Sequence, residues 1–166
     1  QLMVSFTKLL DSLLRDTYGV VRGNWQDMLP KFFAFSYFWT LGGNLQDTFN
    51  LVFDVFARST IRDFIPDFPA QKTVHDWTVD WVGGNFIEWN QLVPEFTFDQ
   101  SAPFFNLVVP TVDSTRIKFL LRAQIDGGNH VLLGGNSGVG KTLMVQDFLD
   151  HAGEGFMSQT KTFSAQ

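Results

Sequence analysis

The stretch that most constrains this chain is "GGNSGVGKT", Gly134 to Thr142, set between the apolar run "HVLLG" and the segment "LMVQDFLDHA". Gly135-Asn136-Ser137-Gly138-Val139-Gly140-Lys141-Thr142 satisfies every fixed position of the phosphate-loop pattern G-x-x-x-x-G-K-[ST]. Each residue type has a physical task there. Glycine lets the loop turn through backbone angles closed to other residues and bring its N–H groups against phosphate oxygens. Lys141 is placed to reach the β- and γ-phosphates, and the Thr142 hydroxyl to ligate Mg²⁺. The helix that follows would aim its positive end at the nucleotide. A glycine-rich turn matching by accident is expected on the order of 0.01 times in a chain of this length at average residue usage. A buried strand over "HVLLGG" before the loop and a helix from Lys141 to His151 after it are the surroundings the pattern requires.

Hydrolysis is a separate question, because it needs a carboxylate on Mg²⁺ and a group that orients water, both usually carried on later strands of the same sheet. After Lys141 the only acids are Asp147, Asp150 and Glu154. They fall on the helix or its exit and read as a solvated face. These residues carry a nucleotide cradle without catalytic residues.

Upstream the pattern is helical. Leu2, Val4, Phe6, Leu9, Leu10, Leu13 and Leu14 recur at three- and four-residue spacing and predict a first helix over 1–17. A second is predicted from Leu29 or Pro30 to Trp39, with Pro30 in its first turn and Gly42-Gly43 as its stop. A third covers 44–61, with Phe49, Val52, Phe53 and Phe56 on its inner face and Arg58 and Arg62 near its negative end. From Pro66 to Phe98 the prolines 66, 69 and 94, the pair Gly83-Gly84 and the tryptophans 77, 81 and 89 break any helical period. This reads as a connector whose tryptophans pin it between neighbouring bodies, Trp89 being the candidate for a contact that changes between states. Beyond Pro103 the texture becomes α/β: a strand "FFNLVVPT", an amphipathic helix "DSTRIKFLLRAQID" capped by Asp113 or Ser114 and ended by Gly127-Gly128, the strand "HVLLGG", the loop and its helix, and a second strand beginning in "FMSQTKTFSAQ". A parallel sheet needs more strands than these, so further polypeptide or a larger assembly is expected to complete it.

Composition removes several classes. A formal net charge of −5 with no basic stripe argues against nucleic acid as a partner. There is no cysteine, so disulfide and Cys-metal frameworks are out, and His75, His130 and His151 show no ligand spacing. The longest apolar stretch, 32–43, falls short of the roughly 20 residues that span a bilayer, and no membrane segment is expected. The start "QLMVSFTKLL" shows neither an initiator Met nor a signal-peptide order.

Four stretches together resemble the motor region of dynein heavy chains, a ring of AAA+ modules on one polypeptide. "FSYFWTLGGNL" (35–45) looks like the helix near the end of the second module, and "WNQLVPEF" (89–96) like the crossing after it. "VVPTVDSTRIKFLL" (108–121) is similar to the entry into the third module ahead of "GGNSGVGKT", and the terminal "FSAQ" to the strand that follows that loop. The resemblance implies a P-loop AAA+ ATPase fold, α/β with a helical N-terminal part. Residues 1–65 would be the helical small subdomain of the preceding module, 66–100 an inter-module connector, and 101–166 the start of the next parallel α/β large subdomain. It further implies that Val109, Pro110 and Thr111 lie near the adenine, and that the site binds ATP or ADP with Mg²⁺ in a mainly regulatory role. The motor would move toward microtubule minus ends, partnered by the rest of the ring, by microtubules through other parts of the motor, and by intermediate and light chains. The "GGNL" and "GVGKT" wording is closer to axonemal than to cytoplasmic forms, which points to the cytoskeleton of a cilium or flagellum. The alternatives are a stand-alone P-loop phosphotransferase, which would need a catalytic carboxylate and an acceptor pocket, and a structural module that holds nucleotide without hydrolysing it.

Overall fold

The computed structural model describes residues 2–15, 25–97, 108–153, 157–161 and 163. It divides into two compact units, one of Gln1–Pro94 with Thr111–Val131 and the other of Glu95–Pro110 with Leu132–Gln166.

The first unit is helical with a small antiparallel sheet. Helix α1 (Leu2–Leu14) buries Leu9, Ser12 and Leu13, the two leucines lying one turn apart. Leu2 and Val4, predicted on the same inner stripe, are exposed instead. Helix α2 runs Trp25–Tyr37, so it begins earlier than predicted and holds Pro30 inside it. Proline there forfeits one backbone bond, a loss offset by the packing of Met28, Phe32 and Phe35, all buried on the inner face. The chain then widens into a π-turn, Phe38–Gly42, closed by Gly43 N–H donating to the Phe38 carbonyl at 3.1 Å. Gly42 is required by close approach: a Cβ there would collide with the Phe53 ring and lie 2.7 Å from His75 Nε2.

A short 3₁₀ turn, Asp47–Phe49, leads into α3 (Asn50–Ile61). Its buried side is Phe53, Ala57 and Ile61 at four-residue spacing. Of the predicted inner residues only Phe53 is inside; Phe49, Val52 and Phe56 face solvent. The helix is apolar on two sides, and periodicity alone does not choose between them. Arg58 behaves as a helix-end cation, bonding Asp54 at 2.8 Å and the Lys72 carbonyl at 2.7 Å.

The stretch read as a connector has its own structure inside this unit. Strands β1 (Trp77–Val79) and β2 (Phe86–Glu88) pair antiparallel with Thr78 opposite Ile87, and a 3₁₀ turn, Trp89–Leu92, follows. Trp81 and Trp89 pack with rings of α2 and with Phe119 inside this unit. Trp89 is 1% exposed beside Leu9, Leu13, Phe32, Phe35 and Ala123. Trp81 stacks on Phe32 at 5.2 Å and on Phe119 at 5.6 Å, both nearly parallel. The indole N–H of Trp77 donates to the Gln71 carbonyl. Helix α4 (Val112–Asp126) completes the core through Leu121 and Ala123. Its N-cap is Thr111, not Asp113 or Ser114: the Thr111 hydroxyl accepts from Ser114 N–H at 3.1 Å, and Ser114 Oγ accepts from Thr111 N–H at 2.8 Å. The reciprocal pair satisfies two backbone donors at once, which a cap two or three residues later could not do. Gly127 and Gly128 end the helix as predicted, Gly128 at φ +73°.

In the second unit the described residues contain one regular element, α5 (Lys141–Asp150), which ends one residue before the predicted His151. The segment 130–135, predicted as a buried strand, forms no ladder, and Val131 and Leu132 are exposed. A strand is held by hydrogen bonds to neighbouring strands, and among the described residues none lies beside this one. Residues 104–107 of the predicted strand "FFNLVVPT" lie outside the described residues, and 108–110 join no sheet. In "FMSQTKTFSAQ", 157–161 and 163 are irregular, with Met157 and Phe163 exposed; the remainder lies outside the described residues. No described helix is long and apolar enough to cross a membrane.

Candidate functional site

The loop Gly134–Gly140 is exposed and enters α5 without an intervening residue. Gly135, Gly138 and Gly140 have φ of +150°, +80° and +81°, values that a side chain strongly disfavours. A Cβ on Gly138 or Gly140 would meet nothing within 4 Å, so glycine is required there by backbone angle and not by crowding. Gly140 is the N-cap of α5 in the left-handed conformation and has no side chain with which to cap it. The first amides of a helix lack intrahelical partners, so those of Lys141 and Thr142 stand at the loop without a side-chain cap. Helix propagation begins with Met144 N–H donating to the Gly140 carbonyl at 2.9 Å.

Lys141 Nζ is folded over the loop, donating to the Gly135 carbonyl at 3.0 Å and the Asn136 carbonyl at 2.5 Å. The ammonium therefore sits over the same backbone arc whose amides and helix dipole favour negative charge. This donor set, one cation with helix-start amides and a hydroxyl at Thr142, fits a polyphosphate chemically. Asn136, Ser137 and Val139 fill the variable positions and are exposed. Val109 and Pro110 belong to this unit, whereas Thr111 belongs to the other, where it caps α4.

The acids after the loop do not form a catalytic arrangement among the described residues. Asp147 lies on α5 with His151 Nδ1 at 3.4 Å, and Asp150 accepts from Gln146. Glu154 lies outside the described residues. No group of three or more His, Cys, Asp or Glu among the described residues could hold a metal ion.

Two family descriptions match the chain end to end: residues 1–91 match the dynein heavy chain AAA lid domain, and residues 96–166 the P-loop containing dynein motor region. The chain belongs to the dynein heavy chain family. This dynein segment is 31% identical over 166 residues to human dynein axonemal heavy chain 6, covering 95% of this chain and 4% of the relative. It is 33% identical over 142 residues to the Chlamydomonas reinhardtii dynein-1-beta heavy chain of the flagellar inner arm I1 complex, covering 84% of this chain and 3% of that one. To the ciliary dynein beta chain of the sea urchin Tripneustes gratilla it is 31% identical over 141 residues, with 84% and 3% coverage. The chain thus spans 3–4% of the length of these relatives. Membership in a P-loop motor family carries nucleotide binding with it.

The sequence singled out Gly135 to Thr142, which lie in one continuous loop and helix start. What it missed is His75, in the first unit. Its Nε2–H donates to the Phe38 carbonyl at 3.0 Å, inside the π-turn, while its ring stacks on Phe53 at 5.6 Å. Burial pushes its pKa below the ordinary 6.5, and the hydrogen bond to Phe38 offsets this only in part. A lone histidine in an irregular stretch gives no periodic signal by which to find it.

Proposed function

We propose that Gly135–Thr142 binds ATP or ADP with Mg²⁺ as a regulatory site in the AAA+ ring of a dynein heavy chain. The observation that carries this reading is a positive-φ glycine loop opening directly into α5 with Lys141 held over it. In this reading the loop amides and Lys141 bind and orient the phosphates, Thr142 Oγ1 is a ligand to Mg²⁺, and Val109, Pro110 and Thr111 border the base. Nucleotide would supply differential affinity for two states of the ring, coupling of about 1–3 kcal/mol being typical. Asp147 and Asp150 sit on α5, away from any strand end, so the hydrolytic carboxylates belong to other parts of the polypeptide. Residues 1–65, 66–100 and 101–166 correspond in this proposal to a lid subdomain, a connector and the start of the next large subdomain.

The whole protein is, on this proposal, a microtubule minus-end-directed motor of the ciliary or flagellar axoneme, assembled with intermediate and light chains. The axonemal, ciliary and flagellar names of its relatives support that placement. A stand-alone phosphotransferase is not favoured, because both family matches are to dynein heavy chain regions. The test is a titration of ATP and ADP, with and without Mg²⁺, into a polypeptide carrying the complete module. Thr142→Ala is expected to reduce the Mg²⁺-dependent gain in affinity; an unchanged ratio would remove Thr142 as the Mg²⁺ ligand.

A further inference from the structure

Asn136 is the one asparagine of this chain that precedes a small residue, Ser137; every other asparagine precedes Trp, Leu, Phe, Gln or His. The asparagine side-chain amide is chemically labile. It is lost through attack by the backbone nitrogen of the next residue, which a bulky side chain on that residue obstructs. Asn136 and Ser137 are both exposed and lie outside any helix or strand. Ser137 N–H donates to no group among the described residues, so no internal hydrogen bond holds its proton. Gly135 at φ +150° and Gly138 at φ +80° flank the pair, and glycine on either side gives the backbone the freedom that ring closure needs. Lys141 supplies the remaining element. Its Nζ donates to the Asn136 carbonyl at 2.5 Å. When Ser137 N–H loses its proton, the charge is delocalised through the peptide bond onto that same oxygen. The ammonium therefore stabilises the attacking nitrogen in its reactive form.

We propose that Asn136 is a covalent modification site, activated by Lys141, whose conversion disables the phosphate loop when no nucleotide is bound. The Ser137 nitrogen gives its proton to hydroxide and attacks Asn136 Cγ. The N–Cγ bond forms, the bond from Cγ to the side-chain nitrogen breaks, and that nitrogen takes a proton from water and leaves as ammonia. Water then opens the five-membered ring. Cleavage at Cγ gives aspartate; cleavage at the Asn136 carbonyl carbon gives isoaspartate, in which the main chain runs through Cβ and Cγ. The sum is amide plus water to carboxylate plus ammonium, with no oxidation or reduction. Either product places a negative charge in a loop whose amides favour anions, and isoaspartate also adds one carbon to the backbone, which displaces those amides from a polyphosphate. The consequence for binding rests on the nucleotide reading above. In that reading bound phosphates hold the loop amides and engage Lys141, so nucleotide protects the residue.

The experiment uses the native heavy chain, freed of nucleotide and held for days in mildly alkaline buffer with and without Mg²⁺-ATP. Peptide mapping of the nucleotide-free protein is expected to find isoaspartate at position 136, while Asn90, exposed but followed by Gln91, is unchanged over the same time. Mg²⁺-ATP is expected to slow the conversion roughly tenfold, as for an amide protected from local opening. The fraction of molecules that bind Mg²⁺-ATP is expected to fall in step with conversion. Lys141→Ala, mapped without nucleotide, is expected to convert more slowly than the parent. Conversion at 136 no faster than at Asn90, an equal rate in Lys141→Ala, or undiminished binding by the converted protein overturns the proposal. A fresh parent that converts at 136 yet binds no Mg²⁺-ATP overturns the nucleotide reading and not the modification.

Discussion

The two units are held in opposite ways. In the unit of α1 to α4, order comes from side chains: Phe32, Phe35, Trp81, Trp89 and Phe119 form a network of ring contacts with centroids 5.2–6.3 Å apart, closed on both sides by helices. In the unit of the phosphate loop, local conformation comes from the backbone: glycines at positive φ, a helix start, and a lysine tied to two carbonyls. Packing makes a scaffold whose residues are costly to alter. A backbone cradle leaves its polar groups available to a ligand, so its residues are cheap to alter for stability and costly for binding.

That contrast breaks first, and most strongly, at Trp89. Trp89→Ala removes a fully buried indole from among Leu9, Phe35 and Ala123 and should lower unfolding free energy by about 3–5 kcal/mol in denaturant titration. Lys141→Ala, exchanging a side chain bonded only to exposed loop carbonyls, should stay within about 0.5 kcal/mol. Comparable losses would show that the loop is part of the scaffold. Gly42→Ala comes next: the methyl would collide with Phe53 and crowd His75, at a cost of about 1–3 kcal/mol, whereas Gly138→Ala, at φ +80° but in open space, should mainly disturb the loop. Thermal melting of both variants tests this, and a Gly42→Ala protein as stable as its parent would contradict the close approach.

Acid should loosen the scaffold through His75. Its folded pKa lies below 6.5, so the unfolded chain takes up the proton first. The stabilisation from its neutral ring is whole above pH 6.5 and is lost as pH falls through that value toward the folded pKa. Arg116, which also lowers this pKa, is held by Asp76 at 2.6 Å, while Asp76 and Asp54 raise it. The Asp76 carboxyl is itself lowered by its bonds to Thr73 and Arg116, against the opposing effect of burial. Its contribution is present above pH 3.8 and is lost as pH falls below that toward its folded pKa. Denaturant midpoints measured between pH 7.5 and 5 should fall for the parent and flatten for His75→Gln; parallel curves would deny His75 this role. The smallest effect expected is at the α4 cap, where Thr111→Ala should cost about 1 kcal/mol in chemical denaturation, and Thr111→Ser much less.

Legibility followed the physics of each region. The phosphate loop and α5 were readable because backbone angle and ligand chemistry restrict residue type position by position, from Gly135 to Thr142. Helix α1 and the end of α4 were readable from spacing and from Gly127-Gly128. The start of α2 was hidden because Pro30 mimics a helix beginning, and tertiary packing overrode it. The inner face of α3 was ambiguous because both its arcs are apolar. Trp81 and Trp89 gave no period, so their packing in one core depended on contacts with Phe32, Phe35 and Phe119 that are distant in sequence. Strand pairing at 130–135 could not be read, since a strand depends on partners and not on its own residues alone.

The central claim is that nucleotide is held at this loop, and Lys141 tests it most directly. In a polypeptide carrying the complete module, direct titration with Mg²⁺-ATP should show binding to the parent and none detectable to Lys141→Ala, with both proteins equally folded by circular dichroism, because a charge-assisted contact at the centre of the site is lost. Equal affinity of the folded mutant and its parent would contradict the account.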